Sequence, residues 1–515
     1  MSRTENATRN IIWGTFNKFI SLGMPFITRT VIIYSLGIQY VGLGGLFSSV
    51  LQILSFAELG IGNALVFSMY KPMAENDTKK VSSLLRFYRN CYRVIGSVVL
   101  GLGLLMMPFL KYLIAGDIPG DINIIFLYAL YLLNSTIGYF LFAYKQSLFI
   151  ASQRGDMISK LNMILQLVMG SLQIIFVLAS RSYYAFVIMI PLITCINNLI
   201  TGFLAAVFYP QYKCIGKLNK AELFDIRKKT GGMIFQKIGS IVLKSADTIV
   251  ISTFLGLTTL GIFQNYYYII TALFGLLSVL TDSIISSVGN SIAVDSVEKN
   301  YRDFKKFNYI YVNVVTICTV CLLGCFQPFM KLWVGAGYTL PDEYVALFAA
   351  YFFVHKWCDM LYVYQEACGI WWETRMIPLL AAILNLSANI VLVQIIDLKG
   401  ILISTIISVL FIYDIGYAKI LFRTYFKGIA RFRNYFCSQL RHFLVVFISS
   451  LVTGWCIRRI VTGNLLISFI LNGIIALAVS LVVIWLFGKT ASENADAEKW
   501  MRTLVGKLIC KWRRT

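Results

Sequence analysis

Fourteen predominantly apolar stretches recur along this 515-residue chain, near 11–35, 41–70, 94–115, 122–150, 158–179, 183–209, 232–255, 260–290, 308–332, 344–370, 376–397, 400–422, 442–458 and 465–487. Each approaches or exceeds the ~20 residues that carry a helix across a bilayer. Lipid offers no partner for an open backbone, so runs of this length must close their hydrogen bonds as helices. The expected fold class is an all-α polytopic membrane protein of about 14 transmembrane helices. Composition agrees: 58% of residues are hydrophobic and 14% charged, against about 45–50% and 25% in soluble domains. That balance excludes an ordinary soluble enzyme and a disordered chain. No cleavable signal peptide is expected, because residues 1–10 are polar and the first apolar run is long and carries Lys18 and Arg29.

The formal charge is +22. In a soluble chain that excess would suggest nucleic acid; here its distribution gives another reading. The N-terminus and alternate loops (71–93, 151–160, 210–231, 295–308, 371–378, 423–441 and 489–515) hold 33 of the 46 Lys and Arg residues. The opposite loops hold only Arg181, Lys399, Arg458 and Arg459. This bias predicts that both termini lie in the cytoplasm and that the number of spans is even. No nucleic-acid partner is expected.

The chain also repeats itself. A shift of 219 residues lays Phe16-Asn17-Lys18 on Phe235-Gln236-Lys237, Val31-Ile32 on Val250-Ile251, and Leu36-Gly37 with Gly42 on Leu255-Gly256 with Gly261. The same shift lays Ile164-Leu165-Gln166-Leu167 on Ile383-Leu384-Asn385-Leu386, and a shift of 220 lays Pro108-Phe109-Leu110-Lys111 on Pro328-Phe329-Met330-Lys331. The repeat unit is six spans, and an even unit preserves orientation. The two copies are therefore parallel repeats about an axis along the membrane normal, an architecture of alternating-access transporters. The expected organisation is an N-terminal six-helix lobe (1–209), a cytoplasmic amphipathic linker (210–231), a C-terminal six-helix lobe (232–430), two additional helices (431–490) and an amphipathic cytoplasmic tail (491–515). In the tail, Trp500, Leu504 and Leu508 recur every four residues among basic side chains, a pattern suited to an anionic leaflet.

A charge at the bilayer centre costs about 2.5–3.5 kcal/mol on insertion scales. Lys18 and Arg29 are eleven residues apart, which returns to nearly one helical face about 16 Å further on. The repeat copy carries Gln236, Lys237, Ser240, Lys244 and Asp247, and the fourth run carries Asn134 and Lys145. These residues suggest a water-filled cavity lined by Lys18, Arg29, Lys145, Lys237 and Lys244, suited to an anionic ligand such as a diphosphate or acidic sugar. Glu58, Asp247, Asp282, Asp359 and Glu366 are the candidates for ion coupling. Other readings of the same residues stay open. Lys18, Lys145 and Lys356 could snorkel to the cytoplasmic edge. Lys244 with Asp247, and Lys356 with Asp359, are spaced for local ion pairs. Lys111 and Lys331 read as interfacial anchors.

Catalytic patterns are wanting. Gly488-Lys489-Thr490 resembles the end of a P-loop, but position 483 is Val where the first glycine belongs. The Cys318/Cys321 pair lies in an apolar run, unlike a redox dithiol, and nothing suggests a zinc site. No cofactor or metal is expected, and the chain is not expected to be an enzyme.

The run from Asp247 to Gly256 followed by Gly261-Ile262-Phe263, and the run from Arg29 to Gly42 followed by Phe56-Ala57-Glu58-Leu59-Gly60-Ile61-Gly62, resemble the polysaccharide-transport branch (Wzx-type repeat-unit flippases) of the multidrug/oligosaccharidyl-lipid/polysaccharide exporter superfamily. The resemblance spans the whole chain. It implies a multi-pass protein of the bacterial cytoplasmic (inner) membrane that moves an undecaprenyl-pyrophosphate-linked oligosaccharide between leaflets. The sugars would go to lipopolysaccharide O-antigen, capsule or related polymers. The implied partners are that lipid-linked substrate, membrane lipids, and the polysaccharide polymerase and glycosyltransferases of the same pathway. Lys18, Arg29, Lys237 and Lys244 are assigned to its headgroup by chemistry rather than by matched family positions. A cation-coupled multidrug or small-solute exporter of the same fold is the alternative, followed by a membrane-embedded glycosyltransferase or polymerase.

Overall fold

The computed structural model describes residues 3–55, 61–459, 463–489, 494, 495, 497 and 499. Among them the secondary structure is helical, with no strand. The α-helices are α1 (Arg3–Ser35), α2 (Ile38–Leu54), α3 (Ile61–Ala74), α4 (Thr78–Met106), α5 (Ile124–Phe140), α6 (Gln146–Ala151), α7 (Gly155–Ser180), α8 (Tyr183–Phe208), α9 (Lys220–Val294), α10 (Val297–Val334), α11 (Asp342–Lys356), α12 (Asp359–Cys368), α13 (Trp371–Thr374), α14 (Ile377–Ser408), α15 (Ile415–Thr424), α16 (Phe432–Arg459) and α17 (Leu465–Gly488). Large apolar side chains such as Phe203, Phe447 and Trp485 stand exposed on these helices, as lipid-facing residues do.

Eight helices among the described residues are long and apolar enough to cross a membrane, or nine if the bent pair 124–140 and 143–151 is one span. Two of the eight are hairpins in which the sequence reads two runs each. α9 breaks at Gly256 (φ 82°, ψ 176°), and Gln264 Nε2 on one arm donates to Thr248 Oγ1 on the other. α14 breaks at Ile396 and Asp397. Its arms are tied by Asn385 Nδ2 donating to Thr405 Oγ1 at 2.8 Å and by a Ser404–Asn389 hydrogen bond. Amide and hydroxyl pairs of this kind hold helices together where water cannot compete. Three other runs do not form a helix both long and apolar enough to cross a membrane. The 41–70 run contains α2 and α3, with residues 56–60 between them outside the described residues. The 344–370 run divides into α11 and α12. The 11–35 run lies on α1, interrupted by Asn17, Lys18 and Arg29.

The chain divides into two compact units, 1–264 and 265–515. In the first, α7 packs on α1 and α8, and α5 on α4 and α8. Its core includes Leu65, Met69, Leu85, Tyr88 and Phe149. Asp156, 1% exposed, anchors the base of α7 to the chain's beginning: Arg9 reaches it at 3.0 Å, with Arg154 at 3.6 Å and Lys160 at 3.8 Å. In the second unit α10 is the central helix, packed by α11, α12, α16 and α17. Phe304, Tyr364, Phe422, Phe426 and Tyr435 form an aromatic cluster there.

The sequence repeat has a backbone counterpart. Gly37 (φ 121°) and Gly256 (φ 82°), 219 residues apart, both break a helix at positive φ, and Gly116 (φ 77°) and Gly335 (φ 82°), at the same separation, are also at positive φ, in a loop and at the end of α10. Glycine takes this conformation without the penalty a Cβ brings. Around the first pair the contacts are reciprocal. A Cβ on Gly42 would meet the Leu257 carbonyl oxygen, and one on Gly261 would meet the Ile38 carbonyl oxygen. Gly42 and Gly261 are 219 apart, and so are Ile38 and Leu257. Gln39 Nε2 donates to Thr258 Oγ1, again 219 residues away. Equivalent positions thus meet across a local two-fold within the first unit.

The 210–231 segment is tied to α4 by Lys80 Nζ with Glu222 Oε1 at 2.9 Å, and Arg86 donates to the Gly216 carbonyl. Lys80, then the Asn219 backbone N–H, hold the Glu222 carboxyl below its usual pKa. A folded-state pKa that is depressed contributes stability above the unfolded value, and that stability is lost as pH falls through the folded value. Glu222→Gln is therefore expected to lower stability near neutrality by under about 1 kcal/mol, as an exposed ion pair should. The difference from the parent should shrink as pH falls below the ordinary carboxylate range, about pH 4, and vanish only below the depressed folded value. Thermal melts at pH 7 and pH 3.5 check this; an equal difference at both would contradict it.

Candidate functional site

Lys18 and Lys237 occupy equivalent places on α1 and the first arm of α9. Each is half-buried, and neither has an ion-pair partner among the described residues. Both lie nineteen residues before their helix-breaking glycine, Gly37 or Gly256, which is about 28 Å of helix. Lys244 stands about 18 Å before its break and Arg29 about 12 Å. The four cations therefore stand at three distances from the helix breaks along two helices of the first unit. Beside Lys18, Asn17 carries a buried Oδ1 with no hydrogen-bond partner among the described residues. Lys244 is exposed, whereas Asp247, less than one turn later, is only 3% exposed.

Arg29 is tied into the fold. Its Nη1 donates to the Gln264 carbonyl oxygen at 2.7 Å, linking α1 to the second arm of α9. Gln264 was not singled out by sequence; its only signal was its place just after the Gly261 repeat match. Nearby, Ser245 Oγ donates to Gln52 Oε1 at 3.4 Å, and the Ala115 N–H donates to the Ser252 carbonyl at 2.8 Å. These bonds seat the α9 hairpin against α2 and the end of the α4 segment.

Lys145 stands at the bend between α5 and α6. Its ammonium reaches the Gly202 carbonyl at 3.4 Å and lies 4.8 Å from the Phe142 ring centroid. This is a local environment built from α8 and the bend, separate from the Arg29–Gln264 contact.

The acidic candidates are dispersed. Glu58 lies outside the described residues, as do Trp500, Leu504 and Leu508 of the tail. Asp282 and Glu366 are exposed. Asp359, in the second unit, accepts from Lys356 Nζ at 2.8 Å and from Tyr311 Oη at 2.6 Å, so the i,i+3 spacing produces a local ion pair. Lys356 also lies over the Phe274 ring at 4.9 Å.

Sequence reasoning passed over Asp414. It is 4% exposed, ends a π-helical turn at Val409–Asp414, and accepts from Trp357 Nε1 at 2.7 Å. π-Turns recur at functional sites. The available signal was one carboxylate within the apolar 400–422 run. Close by, Cys358 Sγ lies 3.4 Å from Tyr435 Oη. No group of three or more metal-ligating side chains occurs among the described residues. The Cys318, Cys321 and Cys325 thiols are all free.

No protein-family model and no curated protein sequence matches the chain. Solved structures do. The lipid II flippase MurJ in an inward closed conformation aligns with a TM-score of 0.63 at 14% identity, covering 93% of this chain and 99% of that one. A multidrug resistance MATE family transporter of the MOP superfamily, in its inward-facing conformation, aligns at 0.59 and 13% identity, covering 79% and 96%. A MOP superfamily transporter from Pyrococcus furiosus, described as having a binding pocket of reverse polarity, aligns at 0.55 and 12% identity over 81% and 95%. At these identities the likeness concerns architecture: the chain has the fold of the MOP superfamily transporters.

Proposed function

We propose that this protein is a flippase. It would move an undecaprenyl-pyrophosphate-linked oligosaccharide repeat unit across the bacterial cytoplasmic membrane by alternating access, for O-antigen, capsule or another surface polysaccharide. The observation that carries this reading is the pair Lys18 and Lys237: half-buried cations with no ion-pair partner among the described residues, at repeat-equivalent positions on apolar helices. Such charges are stabilised by an anionic ligand or by water. With Lys244 and Arg29 they give a diphosphate successive partners at decreasing distance from the helix breaks.

The reciprocal glycine contacts support two parallel six-helix repeats, followed by two further helices and a basic tail. The loop charges support fourteen spans with both termini in the cytoplasm. The reading assigns no catalytic residue and no cofactor. A cation-coupled exporter remains the second reading, favoured by the buried carboxylates Asp247 and Asp414.

Mass spectrometry of lipid-linked oligosaccharides from a deletion strain, beside a complemented one, separates these possibilities. Complete repeat units retained on the inner leaflet, and released on complementation, are the expected result. Truncated units would indicate a lost transferase instead, and an unchanged lipid pool would favour the exporter.

A further inference from the structure

The second unit contains a large groove whose lining includes none of the residues assigned above to the headgroup. It is walled by α10, α11, α16 and α17 and has a volume of about 1790 Å³. Its lining is mostly apolar, with Leu323, Val446 and Leu451 among the walls. At the deep end Phe353 and Phe443 meet edge-to-face at 5.2 Å. On one side Asn472 Nδ2 donates to the Gly324 carbonyl at 3.0 Å and fixes α17 against α10.

The charges of the lining gather at one end. Lys331 is in the last turn of α10, Arg458 in the last turn of α16 and Asp342 in the first turn of α11. None of the three has an ion-pair partner among the described residues, whereas their neighbour Glu343 is matched by Lys399 at 2.6 Å. The end therefore offers two cations and one carboxylate without partners. By the loop charges it is the outer end. Arg458 to Phe443 is fifteen residues, about 22 Å of helix. One leaflet with its headgroup layer measures about 20–22 Å, half of a 40–45 Å bilayer.

We propose that this groove holds one outer-leaflet phospholipid with a zwitterionic ethanolamine headgroup. The phosphate sits between Lys331 and Arg458, the ammonium meets Asp342, and the acyl chains run down to the Phe353–Phe443 contact. Choline would present no N–H to Asp342, and glycerol would leave that carboxylate unmatched. The groove length matches one leaflet, and the mouth matches a headgroup that carries both signs of charge.

The test uses the full-length protein in nanodiscs of equal phosphatidylethanolamine and phosphatidylglycerol, transferred to mild detergent for native mass spectrometry. One retained phospholipid per chain is expected, with phosphatidylethanolamine enriched over the bulk ratio by up to about fivefold, the factor an exposed ion pair supports. Asp342→Asn should return that ratio to bulk without changing the melting temperature. Lys331→Ala with Arg458→Ala should lower retention of both lipids. Gly454→Phe should empty the groove while folding normally, since a side chain at Gly454 meets open space. Equal retention of both lipids by the parent, or an Asp342→Asn ratio like the parent's, would overturn the proposal. So would displacement of the phospholipid by an added polyisoprenyl diphosphate.

Discussion

Gly42→Leu and Gly261→Leu are expected to abolish accumulation of folded protein, and the alanine variants to lower the melting temperature clearly. A Cβ on either glycine would come closer than 3.0 Å to a backbone carbonyl oxygen, a separation real Cβ atoms essentially never show. Backbone cannot rotate away as a side-chain tip can, so the helices themselves must separate. Overpacking of this kind costs about 1–3 kcal/mol for one small group and more for a branched side chain. The two clashes act on one crossing, so the Gly42→Ala/Gly261→Ala pair should cost less than the sum of the singles. Gly14→Ala is the control: its Cβ meets nothing within 4 Å, and alanine favours a helix over glycine by about 1 kcal/mol. Fluorescence-detected size exclusion and thermal melts would read all of these. Parent-like melting of both alanine variants would refute the close approach.

The second large effect concerns transport. Lys18→Ala combined with Lys237→Ala is expected to abolish translocation at unchanged membrane abundance. Each single change should reduce it by about 10- to 100-fold, the worth of one charge-assisted hydrogen bond. Arginine at either position keeps the charge and should retain most of the activity. Removing a half-buried cation that has no ion-pair partner among the described residues should leave folding intact or improve it. Translocation of a lipid-linked oligosaccharide in proteoliposomes, with the amount of inserted protein measured alongside, is the readout. Normal transport by a well-inserted double variant would remove these lysines from the site.

What the sequence disclosed depended on range. The long apolar runs, the 219-residue repeat and the glycines at Gly37, Gly42, Gly256 and Gly261 are visible because each is a local pattern or its copy. The conformations at Gly37 and Gly256 follow from residue type and repeat position together. The partners of the charges are tertiary and could not be read. Arg29 finds a backbone carbonyl 235 residues away, and a carbonyl has no signature in sequence. Lys356 and Asp359 meet as their spacing allowed, but Tyr311, the second partner of Asp359, comes from α10. Asp414 escaped notice because its partner is the indole of Trp357, not a charge. The boundaries of runs were also blurred: the 344–370 stretch reads as one span by hydropathy, yet it divides at Trp357 and Cys358 into α11 and α12.

The boundary between the compact units falls at Gln264, later than the 210–231 segment expected from the sequence to link the lobes. The first arm of α9 and the start of its second arm therefore pack within the first unit, through Ser245, Leu257 and Gln264. A protease that nicks the linker cuts the polypeptide but not the structural join. Of two fragments made from a gene split at that point, the first would lack the closing part of its own unit and the second would carry that part beside a complete one, so the first unit could form only by complementation.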